Sequence, residues 1–470
     1  MKLFTTALLI AAFSAHAAEP NWPRFRGPNG AGVADTEKPP VEFGPDKNVL
    51  WQLPVPSGPS SPCVWGGRIF LTAFDGGKLW TLCIDRANGR ELWRRDAGAA
   101  KIEEFLSGQG SPAASTPATD GKHVVVYFGS CGLIAYDFEG KELWRQTMPV
   151  AETNNDFGSG TSPILADGLV ILVRDLRADS AVLAFDVTTG ARVWKTDRPG
   201  MAAGYSTPIL WEHDGLKELV APGGLAMKSY DLRTGAERWV LRDLPAVNCS
   251  SPVSDSKMLY FAGWSPAGSD APMPSFDDLL KADANGDGKI SKEESENTFL
   301  KGFFTPNDTN KDGFITRDEW DALLGYLKRG KNRLVAVKPD GSGDITASHV
   351  AWEKGKGLPY VPSPVLYRGD LFMVKDGGLA SCFDATTGTA KYEQKRLGVE
   401  GPFYASPVAA SGHIYLINLA GKAATVTAGD KPEVVWHADF GEHVAATPAI
   451  ADNTLYVRTE TKLFAFKAAQ

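Results

Sequence analysis

The sequence lacks the features that would tie it to nucleic acid or to a membrane. Asp and Glu total 56 against 49 Lys and Arg, so the net charge is −7. No basic stripe is left to replace the counterions of a phosphate backbone, which excludes a typical nucleic-acid binder. Beyond the N-terminus, no segment offers the ~18 uninterrupted apolar residues that a transmembrane helix requires. We therefore expect no nucleic-acid partner and no transmembrane span.

Cysteine and histidine are also scarce. The chain has five cysteines and seven histidines among 470 residues. No two cysteines are adjacent and no C-x-x-C occurs, so the usual cysteine metal and redox motifs are absent. The histidines are scattered, and neither H-E-x-x-H nor G-x-S-x-G appears in a fitting context. The sequence therefore assigns no catalytic residue.

The N-terminus has the pattern of a cleaved secretory signal. Lys2 precedes an apolar run from Leu3 to Phe13, and Ala15-His16-Ala17 provides an A-x-A cleavage site. No cysteine follows the apolar run, so no lipid anchor is indicated. We predict a signal peptide over residues 1–17 and a mature protein that is periplasmic or secreted.

A turn motif recurs along most of the chain. Its fullest copy runs from Ala184 to Trp194 and reads A-F-D-V-T-T-G-A-R-V-W. Four further copies begin at Asp85, Asp137, Asp231 and Asp384, and each has a Gly and an aromatic residue at similar spacing after its Asp. The Asp and Thr side chains cap backbone groups in such a turn, and Gly adopts its positive φ. We interpret these aspartates as turn caps and expect the aromatic residue to pack against a neighbouring unit.

A second element, Ser or Thr followed by Pro and an apolar strand, recurs about every 45 residues. The prolines are Pro62, Pro117, Pro163, Pro208, Pro252, Pro364, Pro407 and Pro448. A period of this length with four short strands per unit is typical of a β-propeller. The sequence therefore predicts an all-β, eight-bladed β-propeller over residues 47–470, preceded by an N-terminal segment over residues 18–46.

The two ends of the predicted propeller complement each other. The last unit, Ala446–Ala468, runs out after its third strand. Asn48–Leu53, which contains Trp51, has the pattern of the missing fourth strand. We expect these strands to share one blade, which closes the ring and removes its open edges.

The repeat resembles the PQQ-type repeat of bacterial quinoproteins and of the outer-membrane assembly factor BamB. The resemblance covers most of the chain and depends on the A-x-D-x-x-T-G-x-x-x-W pattern. The segment from Trp22 to Gly32, W-P-R-F-R-G-P-N-G-A-G, is similar to a motif of secreted PQQ-like repeat proteins of environmental bacteria. The resemblance implies a propeller fold and a ligand-binding face, without specifying an activity.

The long gap between Pro252 and Pro364 contains two EF-hand calcium loops, within a helical insertion that we place at residues 272–329. Asp283 to Glu294 reads D-A-N-G-D-G-K-I-S-K-E-E, and Asp308 to Glu319 reads D-T-N-K-D-G-F-I-T-R-D-E. Both match the twelve-residue loop at each diagnostic position. The predicted ligands are Asp283, Asn285, Asp287, Lys289, Ser291, Glu294, Asp308, Asn310, Asp312, Phe314, Thr316 and Glu319, with Lys289 and Phe314 contributing backbone carbonyls. We predict that the insertion binds two Ca²⁺ ions.

The insertion falls between the second and third strands of blade five, predicted at Met258–Ala262 and Arg333–Val337. Turns between these strands lie on the face where successive blades are connected, which is the usual ligand face of the propellers that this repeat resembles. Our candidates on this face are Phe157, Arg174, Tyr205, Cys249, Tyr360, Lys375, Tyr404 and Arg458. Two interpretations are open. The residues line a binding site for an unknown protein or small molecule, or they pack the loops together and form a solvent-exposed rim.

Three functions are open to such a chain. The first, which we favour, is a non-catalytic binding or scaffold propeller that uses calcium. The second is a PQQ-dependent dehydrogenase, which would require a cluster of Arg and Lys for the three carboxylates of the quinone and a calcium ion held in the channel. The adjacent cysteines typical of alcohol-oxidising quinoproteins are absent. The third is a BamB-type role in outer-membrane protein assembly, against which the absence of a lipid-anchor cysteine counts.

Overall fold

The computed structural model describes residues 21–266 and 273–468, so the predicted signal peptide lies outside the described residues. Eight antiparallel sheets follow one another along the chain, and a small helical unit is inserted in the fifth. This arrangement confirms the all-β, eight-bladed propeller. We number the blades in chain order and name the strands of each blade A to D.

Strand A of every blade begins directly after the proline of its Ser/Thr-Pro pair. In blade one, strands A to D are Cys63–Trp65, Arg68–Asp75, Lys78–Asp85 and Glu91–Asp96, and in blade two they are Ala118–Thr119, Val124–Phe128, Gly132–Tyr136 and Glu142–Thr147. In blade three they are Ile164–Ala166, Leu169–Arg174, Ala181–Asp186 and Arg192–Asp197, and in blade four they are Ile209–His213, Leu216–Gly223, Ala226–Asp231 and Glu237–Leu241. In blade five they are Val253–Ser254, Leu259–Gly263, Arg333–Val337 and Val350–Lys354. In blade six they are Val365–Tyr367, Asp370–Lys375, Leu379–Asp384 and Ala390–Arg396, and in blade seven they are Val408–Ala410, His413–Ile417, Lys422–Thr427 and Val434–Asp439.

Blade eight joins the two ends of the chain. Its strands A to C are Ala449–Ala451, Thr454–Arg458 and Lys462–Phe466, and its strand D is the N-terminal strand Val49–Pro54. The N-terminal strand pairs antiparallel with strand C, with Trp51 opposite Ala465. The predicted closure is therefore confirmed, with the strand shifted by one residue from Asn48–Leu53.

The recurring Ser/Thr residue before each proline builds a closed circle of hydrogen bonds. Its backbone N–H donates to the hydroxyl oxygen of the equivalent residue in the next blade, over 2.9–3.2 Å. In order the eight residues are Ser61, Thr116, Ser162, Thr207, Ser251, Ser363, Ser406 and Thr447, and Thr447 donates back to Ser61. The circle explains why the hydroxyl recurs, because each one accepts a buried N–H that strand pairing does not satisfy.

The aromatic residue of strand D docks on the turn of the following blade, as expected. Trp51 donates its indole N–H to the carbonyl of Arg86 over 2.9 Å and covers Gly89. A Cβ at Gly89 would lie 2.6 Å from the indole ring, and the φ of this glycine is +73°. The same contact joins Trp93 to Gly140, Trp144 to Gly190, Trp194 to Gly235, and Trp352 to Gly388. The recurring spacing of the turn motif thus encodes the contact between blades.

Blade four departs from the predicted four strands. A short strand, Gly343–Asp344, pairs in parallel with strand D of blade four, placing Gly343 beside Trp239. This strand belongs to the connection between strands C and D of blade five. That connection does not contain the D-x-x-T-G turn of the other blades, and its extra length lets it reach the neighbouring sheet edge.

The inserted unit lies between strands B and C of blade five. Its α-helices are Phe276–Leu279, Lys292–Ser295, Phe304–Asn307 and Arg317–Leu327, with a 3₁₀ turn at Leu280–Ala282. Two short strands, Ile290–Ser291 and Phe314–Ile315, pair antiparallel and couple the two loops. A core that includes Ile290, Ile315 and Trp320 holds the unit together. None of the helices in the described residues is long and apolar enough to cross a membrane.

Candidate functional site

A cavity of about 310 Å³ opens along the axis of the propeller. Six members of the Ser/Thr circle contribute to its wall, which places the cavity inside the ring. The rest of the wall comes mainly from the connections between strand D of one blade and strand A of the next. We call this space the channel cavity.

The N-terminal segment crosses the end of the channel opposite these connections. The segment begins with paired hydrogen bonds between Trp22 and Val64 in blade one. Asn29 then donates to the carbonyl of Leu210 in blade four over 2.7 Å, and Ala34 N donates to Ala409 O in blade seven over 2.9 Å. Phe25 forms part of the cavity wall. The W-P-R-F-R-G-P-N-G motif is therefore a plug for the far end of the channel.

Six of the eight predicted ligand-face residues line the channel cavity: Phe157, Tyr205, Cys249, Tyr360, Tyr404 and Arg458. The structure does not bring the other two into it. Arg174 donates to the hydroxyl of Tyr127 and to the carbonyl of Pro149, over 3.1 and 2.8 Å. Lys375 ends strand B of blade six and is not part of the cavity wall.

Arg458 is the buried cation of the cavity wall. Its guanidinium donates to the carbonyls of Ser60, Thr72 and Pro56 over 2.8–3.0 Å. No carboxylate of the described residues lies within 4.0 Å of it, and its Nε has no hydrogen-bond partner there. Burial lowers the pKa of Arg458 to about 9. Because a buried charge without a counter-charge is costly, Arg458 favours an anionic group beside it, whereas Glu460 adds one carboxylate to the same wall.

The thiols of this face are not activated nucleophiles. Burial raises the pKa of Cys249 to about 12 and that of Cys131 to about 11. At neutral pH both are therefore protonated, whereas the thiolate is the reactive form. All five cysteines are free of disulfide bonds.

Two buried carboxylates near the cavity, Glu103 and Asp175, were not among the eight ligand-face candidates. Glu103 accepts a hydrogen bond from Ser159 Oγ over 2.7 Å, beside the glycines of the cavity wall, and burial raises its pKa to about 7. Asp175 forms a bidentate pair with Arg198 over 2.8 and 3.0 Å, fully buried behind the connection from blade three to blade four. Both contacts join distant parts of the chain, so no local motif indicates them.

The two predicted calcium loops share one arrangement, in which backbone N–H groups of each loop donate to its acidic side chains. In loop one, Asp283 accepts hydrogen bonds from Gly286 N and Gly288 N over 2.8 and 2.9 Å. Glu294 accepts from Ala284 N through one oxygen and from Ser291 N through the other, both over 2.9 Å. These bonds draw both ends of the loop toward one centre.

Loop two repeats this network. Asp308 accepts from Gly313 N over 2.9 Å, and Glu319 accepts from Thr309 N and Thr316 N, each over 2.9 Å. Ser291 and Thr316 also cap the helices that follow their loops, with the glutamate of each loop completing the capping box. The donor set of carboxylate, amide and carbonyl oxygens fits Ca²⁺ in both loops.

The insert packs beside the mouth of the channel cavity. Tyr326 donates to the carbonyl of Ala246 over 2.9 Å, and Leu327 lies in an apolar cluster with Tyr205. Phe303 contacts Phe157 edge-on, with ring centroids 6.5 Å apart. Since Phe157 and Tyr205 line the cavity, the insert touches its wall directly.

Fold and site together define a PQQ-like β-propeller that carries an EF-hand pair. A family model described as outer membrane protein assembly factor BamB matches residues 81–246 and 330–470, and an EF-hand model matches residues 276–296 and 308–324. The first match covers more than half of the chain. The chain therefore belongs to the family described as outer membrane protein assembly factor BamB.

The similarity to individual proteins is more limited. Outer membrane protein assembly factor BamB of Bordetella pertussis is 30% identical over 209 residues, which cover 42% of this chain and 46% of that protein. The chain thus matches less than half the length of this relative.

Solved structures share the fold at low sequence identity. BamB from Moraxella catarrhalis is 12% identical with a TM-score of 0.56, and the match covers 89% of this chain and 99% of that one. A europium-containing methanol dehydrogenase is 11% identical with a TM-score of 0.58, over 96% and 98% of the two chains. The quinohemoprotein alcohol dehydrogenase of Comamonas testosteroni is 13% identical with a TM-score of 0.55, over 97% and 82%.

Proposed function

We propose that this protein is an extracytoplasmic binding or scaffold propeller that does not catalyse a reaction. Two Ca²⁺ ions occupy the loops of the insert, and a ligand enters the channel cavity beside it. One observation carries the proposal: the cavity is plugged at its far end, lined by aromatic side chains and by Arg458, which has no carboxylate partner among the described residues, and contacted by the insert at its mouth. The ligand is then a small molecule or a protein segment with an apolar body and an anionic group.

The cavity wall does not fit PQQ with a catalytic calcium. The quinone carries three carboxylates, and Arg458 is the one Arg or Lys among the described residues of the wall. Glu460 is the one Asp, Glu or Asn of the described residues that lines the cavity, and a single carboxylate does not supply the six to eight oxygens that a calcium ion takes. The oxygens of the insert are engaged within its own loops. These residues support binding rather than quinone chemistry.

Titration of the purified, calcium-loaded chain with PQQ tests the proposal. We expect no dye-coupled oxidation of simple alcohols or sugars, because the wall cannot neutralise the quinone or position a metal against it. A stoichiometric quinone spectrum together with turnover would overturn the proposal. The variant Arg458→Gln should then abolish that spectrum, whereas Arg396→Gln, an exposed arginine outside the cavity, should leave it unchanged.

A role in outer-membrane protein assembly is a second candidate. It is supported by the BamB family model, which matches on both sides of the insert. In this case the ligand of the channel face is a segment of an envelope protein. Capture from an envelope extract with and without calcium distinguishes a protein ligand from a small molecule.

A further inference from the structure

A second group of metal-binding side chains lies away from the insert, between blades four and five. His213 ends strand A of blade four, and Asp214 follows it in the turn to strand B. Asp340 belongs to the connection between strands C and D of blade five. One nitrogen of His213 and one carboxylate oxygen of each aspartate all lie within 4.8 Å of one another.

The buried imidazole of His213 has one ring nitrogen near the two aspartates. This side chain is only 2% exposed, yet neither of its ring nitrogens has a hydrogen-bond partner within residues 21–266 and 273–468. Its Nδ1 lies 3.9 Å from Asp214 Oδ2 and 3.8 Å from Asp340 Oδ1, which is too far for a hydrogen bond. Two ligands of a tetrahedral ion with bonds of about 2.0–2.1 Å are roughly 3.3 Å apart. An ion between the three side chains therefore satisfies the nitrogen with small side-chain movements.

On the other side of the imidazole, a buried carboxylate faces the second ring nitrogen. Nε2 faces Glu218 Oε1 at 3.8 Å, and Glu218 is itself buried. The second oxygen of Glu218 accepts from Trp239 Nε1 and Ser229 Oγ, over 2.7 and 2.8 Å. A carboxylate behind the non-coordinating nitrogen commonly orients a metal-bound histidine. A small movement that brings Nε2 within hydrogen-bond distance of Glu218 would place the proton on Nε2 and leave Nδ1 free for the ion.

We propose that His213, Asp214 and Asp340 form a binding site for a zinc-like divalent cation. One imidazole nitrogen with two carboxylates suits Zn²⁺ and its neighbours rather than Ca²⁺, which prefers six to eight oxygens. Both aspartates are largely exposed, at 76% and 73%, so water can reach the remaining coordination position. The ion joins blade four to the connection of blade five that also adds the strand Gly343–Asp344.

The test uses the full chain with saturating Ca²⁺, so that the EF-hand loops are occupied. Titration with Zn²⁺, followed by calorimetry, and with Co²⁺, followed by its visible absorption, should show one site per chain. The exposed variants Asp214→Asn and Asp340→Asn should each weaken Zn²⁺ binding at least about tenfold, and the double variant should abolish the site. Asparagine keeps the positive φ of both positions, 46° and 65°, so folding is preserved.

Asp167 provides a matched control. It occupies the same turn in blade three, with a φ of 49° and a following glycine, but Ala166 replaces the histidine. Asp167→Asn should leave Zn²⁺ affinity unchanged. The proposal is wrong if the unsubstituted chain binds neither Zn²⁺ nor Co²⁺ below millimolar concentration, or if the double variant binds as tightly as the control.

Discussion

The variants Glu294→Gln and Glu319→Gln are expected to remove calcium binding from their loops and to destabilise the insert. Each glutamate accepts backbone N–H groups from both ends of its loop, so it supplies two oxygens at the centre. An ion present at 100 times its dissociation constant stabilises a folded site by about 2.7 kcal/mol. Chelation of both ions, or the double variant, should therefore cost about twice that amount. Thermal melting and calcium calorimetry measure the effect.

Glu293→Gln is the matched control, because Glu293 is exposed and adjacent to Glu294 but occupies no ligand position of the loop. It should melt as the unsubstituted chain does and bind two ions. If EGTA leaves the melting curve unchanged, and calorimetry detects no calcium uptake, the two loops are not calcium sites.

Trp51→Ala should destabilise the whole propeller by about 3–5 kcal/mol, as expected for the truncation of a buried aromatic side chain. Trp51 is 9% exposed, packs on Gly89 of blade one, and lies 6.2 Å from the ring of Tyr456 in blade eight. Its strand is the one that closes the ring. Its loss therefore weakens the contact on which closure depends. Urea unfolding followed by far-UV circular dichroism measures the change.

Leu50→Ala controls for an effect of the strand itself. Leu50 is the preceding residue of the same strand and is 50% exposed. Its truncation should change the free energy of unfolding by no more than about 0.5 kcal/mol. Equal effects of the two substitutions would show that closure does not depend on the docking of Trp51.

The fold could be predicted because its information is local and repeated. Each turn carries its own Asp, Gly and aromatic residue, and each strand A starts at a Ser/Thr-Pro pair. The EF-hand loops could be predicted for the same reason, since the ligands of each loop lie within twelve consecutive residues. The position of the insert beside the channel followed from the propeller topology.

What sequence analysis did not predict depends on residues far apart in the chain. The hydrogen-bond circle closes between Ser61 and Thr447, and Glu103 meets Ser159 across a blade boundary. His213 and Asp340 are brought together by the long connection of blade five, which departs from the repeat. Arg458 was identified as a candidate, but only the three-dimensional structure shows that none of the described carboxylates pairs with it.

Hydrogen–deuterium exchange of the full chain, with calcium and after chelation, tests most directly whether calcium holds the insert against the channel mouth. We predict that calcium slows exchange in the insert and also in residues 154–158, 203–205 and 246–249, because the insert packs on them. The connection at residues 441–446, on the same face of the propeller, should be unaffected. Protection confined to residues 273–329, or equal in all connections, would contradict the account.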